Sequence, residues 1–156
     1  MRIQQGINDN VHENVNDEDV NNKKERGNES VEWNLDDSRP IWPQLKEQLL
    51  REIIAGRYAM GGPFPTVRDL AEDAGVNRNT MQRAIADLEA DGFLITNRTA
   101  GRVVTTDEKL IGEMKQKLAE QNIKKFIEEM AAIGYSAGDV IEMIVKEEKE
   151  KGVNNK

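Results

Sequence analysis

The chain contains no cysteine, so neither a disulfide framework nor a cysteine metal site is open to it. Its one histidine, His12, stands alone in a polar stretch, without the partners that a metal ion or a general base requires. Aromatic residues are scarce, with three Phe, two Tyr and two Trp in 156 positions. No apolar run approaches the roughly 20 residues needed to cross a bilayer. The N-terminus has no apolar stretch with a cleavage-like end. There is no nucleophile–base pair and no glycine-rich phosphate cradle. These absences argue against disulfide-stapled, membrane-embedded and catalytic classes. They predict a cytoplasmic, non-enzymatic protein with no cofactor, no metal and no membrane partner. The length suits one compact domain with a small accessory element.

Charge is plentiful but of the wrong overall sign for a generic nucleic-acid binder. There are 22 Lys and Arg against 29 Asp and Glu, a formal net charge of −7. The acidic excess is concentrated in residues 1–36, which hold four basic and nine acidic side chains, whereas residues 37–107 hold nine and ten. Residues 1–32 include NDNVHENVNDEDVNNKKERGNES, an Asn-rich, acidic segment whose isolated valines are too sparse to build a core. It reads as a disordered tail. Local placement of the remaining charges then matters more than the total.

The most informative stretch is residues 66–94, TVRDLAEDAGVNRNTMQRAIADLEADGFL. Val67, Leu70, Ala71 and Ala74 form one helical stripe, and Gly75 is suited to a left-handed helix end. Met81, Ala84, Ile85 and Leu88 form the stripe of a second helix. Its opposite face carries Arg78, Asn79, Gln82 and Arg83, residue types that hydrogen-bond to phosphates and base edges. Asp87, Glu89 and Asp91 crowd its far end, away from the face offered to DNA. Thr66 with Asp69 has capping-box spacing, as does Asn79 with Gln82, although Asn77 is an alternative cap for the second helix. The pattern is a helix-turn-helix.

Around this pair lie two supporting elements. Ile41, Leu45, Leu49 and Ile53 predict a preceding helix to about Ala55, with Pro40 and Pro43 near its first turn and Gly56 as its stop. Order is expected to begin near Trp33. Tyr58 to Pro65 reads as a stiff connection. After the pair, Phe93-Leu94-Ile95 and Val103-Val104-Thr105 predict two strands, with Arg98 to Arg102 as the tip between them. A two-strand wing bearing Arg98 and Arg102 fits a groove or phosphate contact.

The C-terminal part is helical. Thr105 with Glu108 suggests a capping box; Leu110, Ile111, Met114 and Leu118 begin a stripe, and Ile123, Phe126, Ile127, Met130 and Ala131 continue it after a phase slip. Gly134 suits a helix end, and Ser136 with Asp139 caps a last helix carrying Val140, Ile141, Ile144 and Val145. A hairpin this small cannot bury both stripes internally, which predicts a homodimer through Leu110, Ile111, Met114, Leu118, Phe126, Ile127, Met130, Val140, Ile141 and Ile144. The expected fold is therefore mainly α with a small β wing: a tail over 1–32, a winged helix-turn-helix over 33–106, a helical dimerisation domain over 107–150, and a flexible end over 151–156.

PIWPQLKEQLLREIIAGRY followed by GPFPTVRDLAEDAGVNRNTMQRAIADLEADGFLITNRTAGRVV resembles the GntR family of bacterial transcription regulators, in its short YtrA-type branch. The resemblance spans roughly 65 residues. It implies DNA contacts from Arg68, Asn77, Arg78, Asn79, Thr80, Gln82 and Arg83, with Arg78 reading a base and Asn79 and Thr80 nearer the backbone. Arg83 has the alternative of an ion pair with Asp87, four residues on. The wing departs from the family's basic, Gly-rich tip. Gly101 is retained with Arg98 and Arg102, while Asn97, Thr99 and Val103 replace an arginine, a glycine and a phenylalanine. The resemblance further implies a short dimerising tail and a repressor acting on a double-stranded DNA operator, often beside transporter genes. Core or dimer packing is the first reading of Phe126, Met130, Tyr135 and Met143; the alternative is that they line an apolar gap for an unidentified small-molecule effector, which would act at the dimer interface or through the angle between domains. The rival reading is a winged-helix protein-interaction or antitoxin-like module without specific DNA recognition.

Overall fold

Ile41 opens the first helix because Pro40, with φ −51° and ψ 132°, is extended and cannot donate a backbone N–H, while Pro43 falls inside the first turn where none is needed. The computed structural model describes residues 30–154, with side chains to residue 152. The reading of residues 1–32 as a tail, His12 included, therefore lies outside the described residues up to position 29. The elements in order are α1 (Ile41–Ile54), α2 (Val67–Ala74), α3 (Arg78–Ala90), β1 (Leu94–Asn97), β2 (Gly101–Val104), α4 (Glu108–Ala132) and α5 (Ala137–Asn154). Helices joined to one two-stranded antiparallel sheet give the mainly α, winged architecture expected.

The apolar stripes meet as their spacing requires. Leu45 and Leu49 of α1, Met81, Ile85 and Leu88 of α3, and Phe93, Leu94 and Val104 of the hairpin are fully buried together. Leu70 and Ala71 join them from α2. Thr66 Oγ1 accepts the Asp69 N–H at 3.1 Å to start α2, and Gly75, with φ 66°, ends it. Any side chain at Gly75 would be strained in that left-handed conformation. This sharp exit aims α3 across α2. For α3 the cap is Asn77, whose Oδ1 accepts the Asn79 N–H at 2.8 Å, and not the Asn79–Gln82 pair.

Two features were not legible as written. The connection after α1 is more than a stiff linker. Gly61 N donates to Val104 O, Val104 N to Gly62 O and Phe64 N to Arg102 O, so Pro63 lies against Val103 and covers one edge of the hairpin. Pro63 is tolerated there because it need not donate to the ladder. The segment before α1 is held as firmly. Gln44 and Gln48, one turn apart, each use a side-chain amide like a peptide group. Gln44 Oε1 accepts Asp36 N at 2.8 Å while its Nε2 donates to Asp36 O at 2.9 Å. Gln48 Oε1 accepts Asn34 N at 3.1 Å while its Nε2 donates to Asn34 O at 2.6 Å. Residues two apart in an extended chain thus match residues four apart on a helix. Gln44 is buried, and these bonds offset its desolvation.

The tail differs in detail from its expectation. Asp107, and not Thr105, caps α4, its Oδ1 accepting Leu110 N at 3.0 Å; Thr105 Oγ1 instead accepts Asp107 N. The strands are Leu94–Asn97 and Gly101–Val104, one residue or more displaced from the expected spans. Helix α5 continues to Asn154, past the point where a flexible end was expected. Ser136 and Asp139 do form a reciprocal box, with Asp139 N donating to Ser136 Oγ and Ser136 N to Asp139 Oδ2. Leu110, Ile111 and Met114, assigned above to a dimer, are half-buried against the winged core of their own chain. Their burial is accounted for within one protomer, and they dock α4 onto the domain. Val140 is buried as well. By contrast Ile123, Phe126, Ile127, Ile141 and Ile144 are exposed.

Candidate nucleic-acid interface

Helix α3 has two faces of opposite character. Met81, Ala84, Ile85 and Leu88 go into the core, which turns Arg78, Asn79, Gln82 and Arg83 outward. Asn77 satisfies only one of the orphan N–H groups at the helix start. The remaining donors and the positive helix end make that terminus a natural seat for a phosphate. Among the described residues, the side chains of Asn79, Thr80, Gln82 and Arg98 make no hydrogen bond or ion pair with the rest of the chain. A groove of about 490 Å³ opens beside this terminus, with Trp33, Leu35 and Ile41 on one side and Asn77 and Thr80 on the other. Trp33 is anchored there by its Nε1–H, which donates to Asp73 Oδ2 at 2.7 Å.

Two of the three arginines of the helix pair are loosely held. Arg78 Nη2 lies 3.7 Å from Glu72 Oε1, and Arg68 Nη2 lies 3.4 Å from Asp69 Oδ1, with both guanidinium groups well exposed. Exposed pairs of this kind are worth at most about 1 kcal/mol. Exchanging a carboxylate for a phosphate therefore costs little. Arg83 does not pair with Asp87, the in-helix alternative. Its guanidinium carbon sits 4.1 Å from the centre of the Trp42 ring, on α1.

The acidic end of α3 is occupied by cations from other elements. Lys46 of α1 reaches both Asp87 Oδ2 at 3.0 Å and Asp91 Oδ2 at 2.6 Å. The hydrogen bond to Asp91 is the largest influence raising the Lys46 pKa; partial burial opposes it and Asp87 adds to it. Glu89 takes the hairpin: Thr96 Oγ1 donates to its Oε1 at 2.7 Å and Arg102 Nε at 2.5 Å. Arg102, expected at the wing tip, is thus in β2 opposite Thr96 with its side chain only 24% exposed, and it fastens the wing to the recognition helix. The tip is Arg98-Thr99-Ala100. Asn97 Oδ1 accepts from Thr99 N, Thr99 Oγ1 and Ala100 N, and Gly101, with φ 73°, supplies the left-handed turn. Thr99 at the position of a family glycine is therefore accommodated without positive φ, and Asn97 takes over the turn.

Burial alone would raise the Glu89 pKa, but the bonds from Thr96 and Arg102 outweigh it and hold the carboxyl below its ordinary 4.5. A depressed carboxylate contributes stability that is present above pH 4.5 and lost as pH falls through the lower folded value. Glu89→Gln is accordingly expected to lower the melting temperature at pH 7, with the gap to wild type closing in titrations below pH 4.5. A gap independent of pH would show that packing, and not charge, joins wing to helix.

Sequence reasoning missed Trp42, Lys46 and Glu89 as supports of this face. Their partners are 41, 41 and 45, and 7 and 13 residues away, which helical periodicity does not reach. Among the described residues no cluster of His, Asp or Glu could hold a metal ion, and no helix is long and apolar enough to cross a membrane.

Comparison with known proteins agrees with this geometry. The model of the family described as "Bacterial regulatory proteins, gntR family" matches residues 43–104, from α1 through β2. The HTH-type transcriptional regulator YhcF of Bacillus subtilis is 28% identical over 107 residues, covering 69% of this chain and 88% of the relative. The HTH-type transcriptional repressor YtrA of the same organism is 30% identical over 91 residues, covering 58% and 70%. A solved GntR family transcriptional regulator from Listeria monocytogenes superposes with a TM-score of 0.64 at 35% identity, over 72% of this chain and 98% of that one. The matched span holds the helix pair, its support α1 and the wing. With a buried helix face behind an outward row of amides and guanidinium groups, this chain belongs to the gntR family and is a DNA-binding transcription regulator, not an enzyme.

Proposed function

We propose that the chain is a cytoplasmic, dimeric repressor that binds an inverted-repeat operator, with α3 of each protomer in successive major grooves. The observation that carries this reading is the pairing of two unsatisfied surfaces in one molecule. The start of α3 offers Arg78, Asn79, Thr80 and Gln82 with their polar atoms free or loosely held, and the tail leaves Ile123, Phe126, Ile127, Ile141 and Ile144 in water. Exposed apolar surface of this extent marks an interaction site, and a second copy covers it most simply. The similar YtrA of Bacillus subtilis is a transcriptional repressor. Arg68, Asn77 and Arg83 belong to the same DNA face in this reading, and Arg98 with Gly101 forms the wing contact. Arg102 acts through the wing's attachment to Glu89. Phe126, Tyr135 and Met143 are exposed in one protomer, so an effector that touches them would bind at the interface between two copies.

Selection of genomic fragments with the purified full-length chain, at stated salt, tests this directly. Recovered fragments should contain an inverted repeat, and the flanking genes name the regulated pathway; recovery of random DNA would sink the reading. On such a fragment, Arg78→Ala should cost roughly 1–3 kcal/mol per half-site and relax preference at one base position. Equal weakening on specific and random DNA would make Arg78 a phosphate contact instead.

A further inference from the structure

Helix α1 faces α3 with two side chains one turn apart, and each engages a residue of α3 that is also one turn from the other. Trp42 lies under the Arg83 guanidinium, 4.1 Å from ring centre to carbon, and Lys46 binds Asp87 at 3.0 Å. Arg83 and Asp87 are spaced four apart on one helix, where an internal ion pair would ordinarily form. Here it does not. Asp87 is held by Lys46, which also reaches Asp91, and among the described residues the Arg83 guanidinium has no hydrogen bond or ion pair at all. Stacking occupies a guanidinium's face and leaves its N–H edge able to donate. Arg83 itself is exposed while Trp42 is half-buried, so the platform is fixed and the cation is presented on it.

We propose that Trp42 is a positioning residue for DNA binding: it holds the Arg83 guanidinium over its ring on α1 with the N–H groups free, while Lys46 keeps Asp87 from capturing them. The inference rests on the reading above that Arg83 meets DNA. An arginine tied to Asp87 would have to break that pair on every binding event, and its long side chain would lose rotamer freedom as it docked. A guanidinium already stacked has lost much of that freedom before DNA arrives. The same arrangement draws Asp87 away from an incoming phosphate.

The experiment measures affinity of the full-length chain for a genomic fragment recovered with wild type, at one salt concentration, beside the melting temperature of each variant. Arg83→Ala should weaken binding. Trp42→Leu should weaken it about tenfold, Trp42→Phe should stay within about twofold of wild type because a ring remains, and Trp42→Leu should cost nothing further in the Arg83→Ala background. If Arg83→Ala binds like wild type, the DNA role of Arg83 falls and the proposal with it. If Arg83→Ala weakens binding but Trp42→Leu does not, the proposal alone is overturned. It is overturned equally if Trp42→Leu costs the same with and without Arg83, since the indole would then act only through general packing. A second arm leaves the indole intact. Lys46→Gln should weaken binding by releasing Asp87, and adding Asp87→Asn should recover most of the loss; no recovery would refute the part assigned to Lys46.

Discussion

Phe93→Ala is expected to lower the free energy of unfolding by about 3–5 kcal/mol, the range for emptying a buried aromatic site. The ring is 1% exposed at the junction of α3 and the wing. Its backbone is committed on both sides, with Phe93 N donating to Leu88 O at 3.0 Å and Phe93 O accepting from Thr105 N at 2.9 Å. The surroundings are therefore poorly placed to collapse into the space. A domain whose whole stability lies in the usual range of about 5–15 kcal/mol would be left near its unfolding threshold. Urea denaturation measures the change, with Ile95→Ala on the exposed side of β1 as the comparison, expected to change stability by less than about 1 kcal/mol. A loss below about 1 kcal/mol at Phe93 would mean that the wing is not part of the cooperative unit.

The second large effect concerns assembly. The double substitution Ile127→Glu with Ile144→Glu should give a folded monomer, because both side chains are exposed in the single chain and neither supports the winged core. If two copies bind an inverted repeat, the first half-site contact raises the effective concentration of the second. Losing that coupling should weaken operator binding by roughly 10²–10⁴-fold. Sedimentation equilibrium reads the mass and a gel shift reads the affinity. A variant that remains dimeric would place the interface elsewhere on the tail; one that is monomeric yet binds as wild type would remove the dimer from the mechanism.

The sequence was most readable where structure is local. The stripe Met81, Ala84, Ile85 and Leu88 is the buried face of α3, and Gly75 takes the left-handed exit its position suggested, because periodicity and end signals act over a few residues. It was least readable where partners are distant. Nothing near Arg83 announces Trp42, and nothing near Asp87 announces Lys46, so an ion pair four residues apart looked the natural outcome. Pro63 resting on the hairpin edge was hidden because its neighbours spell an ordinary turn. Thr105 was read as the cap of α4, but its hydroxyl accepts from Asp107 N and Asp107, two residues on, caps the helix. The outward face of α3 was legible by elimination, being the side its core stripe does not use.

The way α4 is mounted gives this small protein a mechanical property. The helix has 25 residues, so it is about 37 Å long at roughly 1.5 Å per residue. Among the described residues its contacts with the winged core lie near its beginning, at Leu110, Ile111 and Met114, and no residue along it is fully buried. That grip is a fulcrum, and the 18 residues from Met114 to Ala132 form a lever arm of about 27 Å at roughly 1.5 Å per residue. A tilt of about 10° at the fulcrum swings the far end through roughly 5 Å over that length. In the proposed dimer, a few ångströms of sliding between the two tails would rotate each DNA-binding head by several degrees. A molecule that wedges the tails apart would thus spoil the spacing of the two recognition helices while never approaching the DNA.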